Sequence, residues 1–76
     1  MKTQRITLPI NDLSNGGGGA FIIEHALVHT PGVVHVYVNS SIEMAYIEFD
    51  PTLSDPESLV KVVERAGFRV GVPSLR

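Results

Sequence analysis

The sequence predicts an α+β fold of order β-α-β-β-α-β: a four-stranded antiparallel sheet with two helices on one face. Three observations predict it. Four segments alternate apolar and polar residues with the period of a strand. Two segments between them carry an apolar stripe with the period of a helix. The middle two strands are separated by so few residues that they must form an antiparallel hairpin.

The first strand is expected over residues 3–10. Ile6, Leu8 and Ile10 share one face, with Arg5 and Thr7 on the other. Residues 11–15 then read as turn chemistry, and Gly16 to Gly19 follow. Each glycine inside a helix costs about 1 kcal/mol relative to alanine, so the first helix is expected to begin near Gly19. It runs over residues 20–30. Ala20, Ile23, Ala26, Leu27 and Thr30 form its inner side, and Glu24, His25 and His29 its outer side. Pro31 ends it, because the residue before proline is pushed out of the α region, and Gly32 supports a turn.

Residues 33–39 and 42–49 form the hairpin, joined near Ser40 and Ser41. Val34, Val36 and Val38 are expected on one face, opposite Val33, His35 and Tyr37. In the partner strand Ala45, Ile47 and Phe49 lie opposite Met44, Tyr46 and Glu48. The second helix is capped by either Ser54, in a capping-box spacing with Glu57, or Asp55, which precedes Pro56. It runs to about Ala66 and buries Leu59, Val62, Val63 and Ala66. Gly67 is its stop signal. The last strand covers residues 68–72, with Phe68, Val70 and Val72 alternating against Arg69 and Gly71. Each strand-helix-strand unit crosses over right-handed, which places both helices on one face and leaves the other open.

Composition bounds the function. Seventy-six residues are expected to make one domain, 1–76, whether free-standing or cut from a longer chain. Apolar residues at 43% against 18% charged argue a globular chain. A formal charge of −2 gives no electrostatic case for nucleic acid or an anionic membrane. The longest apolar run, residues 20–23, is far too short for membrane insertion, and no signal peptide is apparent; a cytoplasmic protein is expected. With no cysteine, disulfides and thiolate metal sites are excluded. No nucleophile-base-acid constellation is present, so an enzyme is not expected.

Several segments resemble the heavy-metal-associated family, a ferredoxin-like family. Ile23-Glu24-His25-Ala26-Leu27 is similar to its aliphatic-Glu-x-Ala-Leu helix, and Thr30-Pro31-Gly32-Val33 to its Leu-Pro-Gly-Val turn. Val36-Tyr37-Val38-Asn39 resembles Val-x-Val-Asn, and the stretch from Ala45 to Pro51 resembles Ala-x-Val-x-Tyr-Asp-Pro. Leu59 through Ala66-Gly67-Phe68 resembles the second helix and its exit. The resemblance implies copper-chaperone-like domains that bind Cu(I) or Zn(II) through a Met-x-Cys-x-x-Cys loop. In this chain the cysteine positions fall on Gly16 and Gly19 and the methionine position on Ser14. Glycine cannot coordinate a soft ion. The expectation is therefore a non-catalytic domain with a degenerate metal loop and no bound cofactor. It would serve interaction or regulation in a metal-transport system, with a metal-transporting ATPase domain as the implied partner. The implied partner surface comprises residues 15–21, from Asn15 to Phe21, with Glu24 and Val28.

Two other readings stay open. His25 and His29, one helical turn apart, are the spacing of a divalent-metal pair, with Glu24 and Asp12 as candidate carboxylates; the plainer reading is two solvated histidines. The glycine run at a helix start suits a small anion or is simply a flexible loop; without a following Gly-Lys-Ser/Thr it is not a phosphate-binding P-loop. A further patch, His35, Tyr37, Met44, Tyr46 and Glu48, is expected on the open sheet face.

Overall fold

Ile6, Leu8 and Ile10 are buried and Arg5 is exposed, so the first alternation is that of a strand, β1 (Gln4–Asn11). The computed structural model describes residues 2–11, 13 and 18–76. Helix α1 (Gly19–Val28) follows, then β2 (Val33–Asn39), β3 (Met44–Phe49), α2 (Pro56–Arg65), and two short strands, β4 (Arg69–Val70) and β5 (Ser74–Leu75). The sheet order is β2-β3-β1-β4, every pairing antiparallel, with β5 also paired to β1. This is the ferredoxin-like arrangement.

One core cluster joins the layers. Ile6, Leu8, Ile10, Ala45, Ile47 and Phe49 from the central strands meet Ile23 and Leu27 of α1 and Leu59 and Val63 of α2. Both helices therefore cover the same sheet face. The α2 stripe is fixed at its start by Asp55, whose carboxylate accepts the Ser58 N–H at 2.7 Å. Ser54 is buried instead and does not cap the helix. Gly67, at φ +100°, turns the chain out of α2.

The structure corrects the expected pattern in four places. A bulge between Val33 and His35 breaks the alternation of β2: Val33 packs on the core with Val36 and Val38, while Val34 is 49% exposed. The hairpin link is longer than expected, because Asn39 Oδ1 accepts the Ser41 N–H at 3.0 Å and Glu43 adopts φ 53°. Ile42 is consequently exposed in the turn and the strand starts at Met44. Helix α1 ends at Val28, with His29 as its C-cap, two residues before the expected Thr30. The last strand is interrupted: its register against β1 slips by one residue between Val70 and Ser74, leaving Val72 81% exposed. Pro73, which lacks an N–H, is tolerated on this outer edge.

Candidate functional site

The segment between β1 and α1 sits where the resemblance places a metal loop. Leu13 anchors it, fully buried in the core although its neighbours in sequence are all turn formers. A lone leucine within such a run is the sequence signal for this burial. Gly18 takes φ +89°, and its carbonyl accepts the Ile22 N–H at 3.0 Å as α1 begins. Ser14, Asn15, Gly16 and Asp12 lie outside the described residues. Gly19 is the first helical residue, and a Cβ built there would stand 3.4 Å from the Phe68 ring and 3.5 Å from the Leu13 carbonyl oxygen. A small side chain therefore fits at Gly19. What is missing is the donor: the chain has no cysteine, and its sulfur is confined to two methionines. Thiolate and thioether ligands select Cu(I), so the residues present do not fit a soft ion held at this loop.

The outer face of α1 is unusually apolar. Its inner stripe, Ile23 and Leu27, is buried, yet Phe21 is 72% exposed, Ile22 50% and Val28 53%. Glu24, His25 and His29 share this outer face and are also exposed. The Phe21 ring stacks on His25 at 6.2 Å. Ile22 belongs to the exposed group but lies outside the partner surface the resemblance implied. The helical wheel, extended one position further round, would have included it.

His25 and His29 are brought together, their ring centroids 4.4 Å apart. The Nδ1–H of His29 donates to the His25 carbonyl at 2.8 Å. No carboxylate completes the pair: among the described residues no three of His, Cys, Asp and Glu gather in one place. Glu24 thus remains an exposed neighbour in sequence and not a third ligand.

The open sheet face gathers the expected second patch in part. Tyr37 and Tyr46 stack at 5.9 Å, and the Arg76 guanidinium lies 5.0 Å over the Tyr46 ring. A shallow concavity of about 420 Å³ is lined by His35, Tyr37, Asn39, Tyr46 and Arg76. Glu48 is drawn away from this group, accepting from the Thr3 hydroxyl and lying 3.8 Å from Arg5.

Two aspartates have depressed pKa values, for structural reasons. The Thr52 hydroxyl and N–H hold Asp50 below its ordinary 3.8, and the Ser58 N–H does the same for Asp55. Both close turns at either end of the link between β3 and α2.

No family profile matches the chain. Over 54 residues, 71% of the chain, it is 35% identical to copper-transporting ATPase 1 of Mus musculus, and it spans about 4% of that protein's length. Among solved structures, the N-terminal domain of PacS from Synechocystis superposes with a TM-score of 0.78 at 32% identity, covering 91% of this chain and 96% of that one. A copper-binding domain from HMA7, a P-type ATPase, superposes with a TM-score of 0.90 at 23% identity, covering 96% and 97%. At that identity the likeness speaks for the fold.

Proposed function

The chain belongs to the heavy-metal-associated domain family, and from that premise we propose that it is a non-catalytic domain of a metal-transport system that binds a protein partner and holds no soft ion in the family's loop. One observation carries the reading: the family core is complete around ligand positions that have no sulfur. Without thiolates the loop has no affinity for Cu(I).

The partner is a domain of a metal-transporting ATPase, as the 35% identity to a copper-transporting ATPase suggests. The surface it meets is the loop from Asn15 and the outer face of α1, with Phe21, Ile22, Glu24 and Val28. Aromatic and aliphatic residues exposed together on one helix are the composition of a docking face. No described helix is long and apolar enough to cross a membrane. The domain works in the cytoplasm, as a single unit over residues 1–76.

The test is an anaerobic Cu(I) titration followed by backbone amide shifts. Wild type is expected to bind no tighter than about 1 mM at the loop, about 4 kcal/mol. The variant Gly16→Cys with Gly19→Cys should gain tight one-to-one binding there, since Gly19 has room for a Cβ. Tight stoichiometric Cu(I) at residues 16–19 of the wild type would overturn the proposal. In a second arm, a soluble metal-binding domain of a copper-transporting ATPase should shift Phe21, Glu24 and Val28; shifts confined to the open sheet face would refute the surface.

A further inference from the structure

The geometry points to a metal site on α1, separate from the family's loop: His25 and His29 chelate one divalent first-row cation of right-angled coordination preference, Ni(II) or Cu(II). Four features of the pair support it.

The first is spacing. Residues four apart on a helix are neighbours on its surface. Two imidazoles bound at right angles to one ion, at metal–nitrogen distances of about 2.0–2.1 Å, have ring centroids roughly 4.5 Å apart. The observed separation is 4.4 Å. A pair of imidazoles with its other positions open to water suits tetragonal Ni(II) or Cu(II).

The second is the tautomer of His29. A carbonyl oxygen only accepts, so the 2.8 Å contact to the His25 carbonyl places the ring proton on Nδ1. In the neutral ring the lone pair then lies on Nε2, free for a metal. A hydrogen bond from the second ring nitrogen to a backbone carbonyl is the device that orients ligating histidines. Here it is built into the end of the helix, because the chain leaves the α conformation at His29.

The third is electrostatic. His25 lies in the last turn of α1 and His29 is its C-cap, so the bound cation sits at the negative end of the helix dipole. The helix carries no lysine or arginine to oppose it, and exposed Glu24 lies beside the pair in sequence. The fourth is access. Both histidines are exposed, with the Phe21 ring stacked beside His25. Water would fill the remaining coordination positions, since among the described residues no third His, Cys, Asp or Glu joins the pair.

The test is a titration of the full chain with NiCl₂, read by calorimetry and by paramagnetic broadening of histidine resonances. One Ni(II) per chain is expected, bound tighter than millimolar, with His25 and His29 broadened before His35. His25→Ala and His29→Ala should each weaken binding roughly tenfold or more. His35→Ala, on β2, should leave it unchanged. All three side chains are exposed, so the variants keep the fold, which circular dichroism checks. Binding that survives both single substitutions, binding centred on His35, affinity no better than millimolar, or Zn(II) bound more tightly than Ni(II) would overturn the inference. None of these outcomes bears on soft-ion binding at residues 16–19, which the Cu(I) titration reads separately.

Discussion

At the scale of single residues, Gly32 and Gly67 separate two costs that glycine avoids. Both have positive φ, +90° and +100°. A Cβ at Gly67 would meet nothing within 4 Å. At Gly32 it would stand 2.9 Å from Leu53 Cβ and 3.1 Å from Ser54 Cβ. The Gly32 carbonyl also accepts the Asp50 N–H at 2.7 Å, which ties the turn after α1 to the end of β3. Gly67→Ala should therefore lose about 1 kcal/mol, from backbone strain alone. Gly32→Ala should lose about 2–3 kcal/mol, strain and collision together. In a domain of this size each kilocalorie lowers Tm by about 4–8 °C, so thermal unfolding resolves the two. Equal losses would mean that the contact with Leu53 relaxes freely. The same scale explains what the sequence revealed about the site. Ligand chemistry depends on residue type alone, so the absence of thiolates was legible in the composition. The tautomer of His29 was not, because it depends on where the helix stops.

At the scale of elements, the two helices differ in how they are specified. Helix α2 has one clean apolar stripe and a side-chain cap, and its extent was readable within a residue. Helix α1 is apolar around most of its surface, so periodicity marked its buried side but not its end. In β2 strict alternation puts Val34 on the side of Val36 and Val38; the bulge turns Val33 inward instead, at an edge strand where bulges are common. The cap of α2 also fixes how the domain responds to acid. Asp50 and Asp55 have folded pKa values below their ordinary 3.8, so the folded state binds fewer protons than the unfolded chain near that pH. Their stabilisation is fully present above about pH 5 and is lost as pH falls below 3.8 toward the folded values. Asp55→Asn keeps an acceptor for the Ser58 N–H, so it should hold Tm near wild type at neutral pH and flatten the fall in acid. Asp55→Ala should lower Tm at neutral pH as well. Thermal melts between pH 2 and 7 distinguish the three; an unchanged acid slope in Asp55→Asn would show that the charge on this cap contributes nothing.

At the scale of the whole molecule, one cluster holds every layer together, and the domain has little stability in reserve. A chain of 76 residues is expected to be stable by about 4–11 kcal/mol, at 0.05–0.15 kcal/mol per residue. Leu27 is fully buried where α1 meets the sheet and α2. Leu27→Ala removes buried methyl groups and leaves a cavity, a loss of about 2–5 kcal/mol. That is half or more of the lower stability estimate, and it should lower Tm by tens of degrees or leave the chain partly unfolded at 37 °C. Val72→Ala makes the control. It is a comparable apolar truncation in a residue that the interrupted last strand leaves exposed, and it should change stability by less than about 0.5 kcal/mol. The contrast tests the topology as well as the packing. If β4 and β5 were one regular strand, as the alternation of Phe68, Val70 and Val72 suggests, Val72 would face the core and its truncation would approach the cost at Leu27. A small Val72 effect beside a large Leu27 effect in chemical denaturation is the expected result, and comparable losses would contradict the register slip against β1.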